Sequence, residues 1–330
     1  MKQAIAFLLS ILLGIAIFVI AALSVNMADV INTLRLISIY DLLILLGFYL
    51  LVYTISSARW GIVAKAFGSK ISFPKLYVFR LAEWAGSYLT PFSRLGGEPV
   101  MAYLFKKEAK TKYRKGVSII IINKVLDFAS ALALVFIGLL LLIINYWHSL
   151  TDRMIFILIV SILVLSYLIY SFYVKTLKKE GFFTTLIRPF KELIPHKTLH
   201  KSIKIVEKEL SAFLKANKRK LIILGIISLI VQMLMIVEYK LIGLVLGINL
   251  SLISLLIINI FFILSFTIPT PGSIGSMEGM LAFIFGILGF GASKGFAFSL
   301  SLRAVEIIIT IAGILCAYYY GVKSINKMPK

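Results

Sequence analysis

Long apolar runs alternate along the chain with short connections that are basic or broken. Six runs, about 4–25, 39–62, 116–145, 153–174, 220–247 and 294–322, reach the roughly 20 apolar residues that cross a hydrocarbon core. Each predicts a transmembrane helix, the first retained rather than cleaved as a leader. Two further regions, 75–107 and 251–290, are apolar but interrupted midway by "LTPFSRLGGEP" and "IPTPGSIGSMEG". The pieces on either side are too short for a full crossing and predict half-helices that enter and return. Pro91, Gly96 and Gly97 break the first region; Pro269, Pro271, Gly272 and Gly275 break the second. Proline stops the incoming helix and glycine permits the tight turn. Backbone freed inside a bilayer must face protein, water or a ligand. A half-helix that starts there points its free N–H groups inward, which suits an anionic group.

Basic residues orient these elements. With Lys2 inside, the clusters at 59–75, 106–115 and 175–220 and the terminal lysines all fall on the cytoplasmic side, provided that both broken regions are re-entrant. Arg35, Arg153 and Lys294 fall outside. The predicted fold is therefore an all-α polytopic protein of the cytoplasmic membrane, with about six full transmembrane helices, two re-entrant broken-helix hairpins and both termini inside. The stretch 198–216 places Ile203, Val206, Leu210 and Phe213 on one face and Lys201, Lys204 and Lys208 on the other. Within a basic connector spanning 175–220, it is expected to lie on anionic lipids of the inner leaflet.

The two broken regions align with each other. Thr90-Pro91 matches Thr270-Pro271, Ser93 matches Ser273 and Glu98 matches Glu278 at one offset. One residue less brings Lys115-Gly116 onto Lys294-Gly295, and Lys124 and Asp127 of "NKVLDF" onto Arg303 and Glu306 of "LRAVEI". Each half reads as helix, helix, broken region, helix, the first starting inside and the second outside. That is an inverted-topology repeat, residues 1–150 and 151–330, of the kind whose sites lie near the midplane.

Composition agrees with a membrane interior: 60% of the 330 residues are hydrophobic and 15% are charged. The net charge of +21 sits at the ends of apolar runs, where it marks topology rather than nucleic-acid binding. Cys316 is the one cysteine, and His148, His196 and His200 lie in polar connections, so no metal site or cofactor is expected. No Ser-His-Asp, HExxH or GxxxxGK[ST] pattern is present, and the chain is not expected to be an enzyme. Charged groups at membrane depth are functional candidates: Glu83, Arg94, Glu98, Lys124, Asp127, Glu238, Glu278, Arg303 and Glu306. Spacing by three puts Lys124 with Asp127, and Arg303 with Glu306, on one helix face. Arg94, Lys124 and Arg303, with Ser93 and Ser273, would hold a lipid phosphate; the six carboxyl groups would position those cations or carry a coupling proton. Arg80 is expected to snorkel.

With "LTPFSRLGGEP", "IPTPGSIGSMEG" and "LRAVE", the chain resembles the lysylphosphatidylglycerol synthase transmembrane-region family. That family includes the flippase half of multiple peptide resistance factors and stand-alone bacterial and archaeal membrane proteins. The resemblance implies lipid translocation between leaflets, with Arg94, Glu98, Glu278, Arg303 and Glu306 at the matching positions. Phe92 stands where a glycine is common. Without the soluble aminoacyl-transferase domain, the chain is not expected to make lysylphosphatidylglycerol. The expected partners are membrane lipids with phosphate-bearing headgroups, and a homodimer stays open. The rival readings are a membrane-embedded transferase acting on a lipid-linked donor, and an ion or small-solute transporter.

Overall fold

A computed structural model of the chain describes residues 2–90, 96–146 and 218–325, with scattered positions between 159 and 175 and between 207 and 216. Among the described residues every regular element is helical. In chain order these are α1 (Lys2–Leu23), α2 (Met27–Leu34), α3 (Ile39–Ala66), α4 (Phe73–Leu89), α5 (Gly97–Lys107) and α6 (Tyr113–Tyr146). After them come α7 (Lys218–Val245), α8 (Leu252–Ser265), a 3-10 turn at Pro271–Ser273, α9 (Ser276–Ile287) and α10 (Ala292–Ile325).

Four of these helices are long and apolar enough to cross a membrane: Ile39–Ala66, Tyr113–Leu141, Arg219–Val245 and Ala292–Tyr320. A fifth forms if Phe7–Leu23 and Met27–Leu34, bent by 93°, count as one span. The predicted run at 153–174 and most of the connector 175–220 lie outside the described residues. One connector residue that is described, Phe213, is buried and stacks on Phe67 at 5.5 Å, so that position faces protein. α2 has no counterpart among the predicted elements. Asn26 caps it, accepting the amide of Ala28 at 3.0 Å, and an eight-residue helix leaves little periodic signal.

Local chemistry sets the helix ends. Ser38 and Asp41 form a reciprocal capping box at the start of α3. Gly68 stops α3 with φ +76 and Gly247 stops α7 with φ +69, a left-handed conformation that only glycine adopts at low cost. Ser72 then stands at the N-cap position of α4, and Ser251 at that of α8, where its hydroxyl accepts the Ser254 amide. α3 ends at Ala66 and α7 at Val245; α6 starts at Tyr113 and α10 at Ala292. Every one of these pairs is 179 residues apart.

Both predicted breaks are observed. α4 and α5 have 17 and 11 residues, α8 and α9 have 14 and 12, and each pair folds back on itself. α4 and α5 approach so closely at Gly86 and Gly97 that a Cβ on Gly97 would lie 1.9 Å from the Glu83 carbonyl oxygen. Packing also crosses between the halves. α10 lies along α4, where a Cβ on Gly313 would fall 2.1 Å from the Leu81 carbonyl. α1 lies along the second break, and the Cβ position of Gly275 is 2.3 Å from the Gly14 carbonyl. Leu8, Leu9 and Leu12 of α1 and Leu315 and Tyr318 of α10 stay exposed, the apolar exterior that acyl chains cover in a bilayer.

Candidate functional site

The second break is fastened by one guanidinium. Arg303, on α10, donates from Nε to Glu278 Oε1 at 2.5 Å and from Nη1 to the Tyr88 hydroxyl at 2.8 Å. The same Nη1 reaches the Gly272 carbonyl at 3.0 Å, and Nη2 reaches the Ser273 carbonyl at 3.2 Å. Glu278 has no exposed surface, and its other oxygen accepts the Gly275 amide at 2.7 Å. Gly272, Ser273 and Gly275 all have positive φ, conformations that cost energy at Ser273 and persist when neighbours fix them. The breakers Pro269, Pro271, Gly272 and Gly275 thus shape a turn that α9, α10 and Tyr88 of α4 hold in place.

The first break is flanked by a line of charge. Lys124 Nζ of α6 lies 2.9 Å from Glu98 Oε1, at the start of α5, and 3.1 Å from Glu83 Oε1 of α4. Glu83 Oε2 in turn accepts from Arg80 Nη1 at 3.1 Å. Arg80 also donates to Ser56 at 3.2 Å and stacks over Trp60 at 4.5 Å. Ser87 links Glu83 to the break, donating to it at 3.4 Å while accepting the Gly97 amide at 3.1 Å. Gly96 caps α5. Lys124 keeps 37% of its side chain exposed. Pro91, Ser93 and Arg94 lie outside the described residues.

The same-helix pairs anticipated from spacing do not form. Lys124 pairs with Glu83 and Glu98 rather than Asp127, and Arg303 pairs with Glu278 rather than Glu306. Asp127 Oδ1 instead meets Arg59 Nη2 of α3 at 2.7 Å. Long basic side chains reach partners on neighbouring helices as readily as partners one turn away. Arg59, taken as a cytoplasmic topology marker, has no exposed surface and donates its Nη1 to Ser228 of α7 at 2.8 Å. Arg80, expected to snorkel, is buried. One signal could have exposed Arg59: Val52, Ser56, Arg59 and Val63 recur at helical spacing, and all four are buried.

Between α3, α4, α6, α7, α8 and α10 lies a cavity of about 240 Å³. Arg80, Asp127, Glu238 and Glu306 line it together with Tyr49, Tyr53, Trp84, Tyr239 and Phe262. Val52 and Val231, Tyr53 and Gln232, Ser56 and Met235, and Asp127 and Glu306 line it as pairs, each pair again 179 residues apart. Among the described residues no group of three or more His, Cys, Asp or Glu could hold a metal ion.

The family model of the lysylphosphatidylglycerol synthase transmembrane region matches residues 7–313. The chain belongs to that family. The family and the apolar helices make the chain a multi-pass integral membrane protein. Two relatives from Methanothermobacter thermautotrophicus are each described as a UPF0104 membrane protein. One is 26% identical over 326 residues, covering 93% of this chain and 91% of the relative. The other is 23% identical over 292 residues, covering 84% and 85%. No solved structure matches the chain.

Proposed function

We propose that the protein moves a phosphate-bearing lipid or glycolipid, anionic or zwitterionic, between the leaflets of the cytoplasmic membrane. The observation that carries this reading is the chain of charge Glu98–Lys124–Glu83–Arg80, which runs from the open face of Lys124 to the wall of the central cavity. Charged groups at membrane depth are costly and face polar cargo or one another. A headgroup that follows such a line exchanges one set of counter-charges for the next while its acyl chains stay in lipid. Lys124 offers the phosphate its first cation. Arg303, each of whose three nitrogens donates to protein, shapes the second break and positions Glu278; Arg94 and Ser93 extend the phosphate site. Asp127, Glu238 and Glu306 set the charge of the cavity through which the headgroup passes.

The expected transport measurement uses purified protein in vesicles with a fluorescent phospholipid that is quenched from one side. The parent protein should bring labelled lipid to the quenched leaflet, Lys124→Ala should slow this about tenfold or more, the loss of roughly 1.4 kcal/mol, and Lys124→Arg should keep most of it. Equal rates in parent and Lys124→Ala would remove lysine from the path, and an inactive parent across anionic, zwitterionic and glycolipid probes would remove the lipid.

We also infer that the two halves form an inverted repeat with six full spans and two re-entrant hairpins. Paired helix ends, glycine stops, serine caps and cavity residues at one spacing of 179 support it. Packing repeats in the same way: α4 meets α10 as α8 meets α6, and α5 meets α6 as α9 meets α10. Single cysteines at Ser69 and Lys110 should both label from the cytoplasm, and those at Asn249 and Ser293 both from outside. Opposite labelling of Ser69 and Lys110 rules out the re-entrant first hairpin.

A further inference from the structure

The two halves differ in the sign of charge at a paired position beside the cavity. In the first half, Arg59 of α3 meets Asp127 of α6 at 2.7 Å. The residues 179 further on are Glu238 of α7 and Glu306 of α10, so a carboxyl stands where the repeat has a guanidinium. It faces the carboxyl that replaces Asp127. Both carboxyls line the cavity, and each residue is 4% exposed. Glu238 makes no hydrogen bond or ion pair among the described residues.

Among the described residues, the other groups lining the cavity offer Glu238 no ion pair. From α3 come Tyr49 and Tyr53, from α4 Arg80, from α6 Asp127, from α10 Glu306, and from its own helix Gln232 and Tyr239; α8 contributes only Phe262. Arg80 is engaged by Glu83 and Ser56, Arg59 by Asp127 and Ser228. A buried carboxylate without a cation carries a desolvation cost, which a proton removes without any coordination shell. The cavity has room for the water that delivers it. Glu306 lies three residues after Arg303 on α10 and within electrostatic reach of both Glu238 and Arg303.

We propose that Glu238 is the proton-binding group of the protein, taking a proton from cavity water and returning it, so that lipid movement is driven by a proton gradient. This rests on the lipid-moving reading above. The step transfers one proton from hydronium to a Glu238 oxygen, leaving water and a neutral acid, with no electron exchanged.

Two measurements separate this proposal from the reading beneath it. Infrared difference spectra of the purified protein in lipid, taken between acid and alkaline pH, should show a carboxylic-acid C=O band that shifts in D2O. The band should be lost in Glu238→Gln and return, displaced, in Glu238→Asp. In vesicles, an imposed pH gradient should speed lipid movement by the parent, a protonophore should abolish that gain, and Glu238→Gln should respond to neither. A band that persists in Glu238→Gln overturns the proposal. So does parent transport that ignores the pH gradient or follows Na+ instead, while leaving lipid movement standing. A band that vanishes in Glu238→Gln, in a protein that moves none of the lipids, keeps the proton site and rejects the lipid.

Discussion

Arg303→Ala should be the most damaging single substitution in the second half. It removes four hydrogen bonds at once, and it leaves Glu278, which has no exposed surface, without its cation. Breaking a buried pair by removing one partner costs about 3–5 kcal/mol, and the loop carbonyls of Gly272 and Ser273 lose their donor as well. The expected result is a large drop in the thermal midpoint of the purified protein, with added phospholipid failing to restore it. Arg303→Lys should recover only part, because an ammonium lacks the planar fork that spans Glu278, Tyr88 and two carbonyls. The double variant Arg303→Ala, Glu278→Gln should be more stable than Arg303→Ala alone, since the stranded charge is gone. If the double variant is no better, the cost lies in the loop rather than in the ion pair.

Asp127→Ala should rank second, by the same logic read from the other partner. Arg59 is wholly buried while the Asp127 side chain is 40% exposed toward the cavity. Removing the aspartate therefore strands a guanidinium with only Ser228 to bond, at about 3–5 kcal/mol. Removing the arginine, as Arg59→Leu, leaves a carboxylate that still has the cavity to face. Thermal denaturation of both variants in one detergent checks the order: Asp127→Ala should melt lower than Arg59→Leu. The reverse order would mean that Arg59 matters for its packing volume more than for its charge.

Much of the fold was legible in the chain because membrane chemistry leaves coarse marks. Runs such as 39–62 and 294–322 fall within α3 and α10, and three or four breakers within ten residues announce an interruption that no continuous helix explains. The partners of the charges were not legible. Spacing by three puts Lys124 near Asp127 and Arg303 near Glu306 in an isolated helix, but in the bundle each reaches across to a different helix. Arg59 and Arg80 were misplaced for a related reason: a basic residue near the end of an apolar run has the same sequence signature whether it snorkels to water or closes a buried pair. Only the partner's position decides, and that is tertiary information. Tyr88 carried no sequence mark at all, yet its hydroxyl completes the coordination of Arg303.

The contact between Gly14 and Gly275 bears on how the molecule is made. α1 is made before the turn at Gly275, which emerges some 260 residues after Gly14; a β-carbon on Gly275 would lie 2.3 Å from the Gly14 carbonyl oxygen. The second break thus closes against a wall laid down much earlier, and the Asn26 amide, donating to the Ser293 hydroxyl at 3.2 Å, adds a second clasp between the same two regions. These contacts form only once the second break has been made. Until then the face of α1 at Gly14 lacks the turn that covers it in the folded chain.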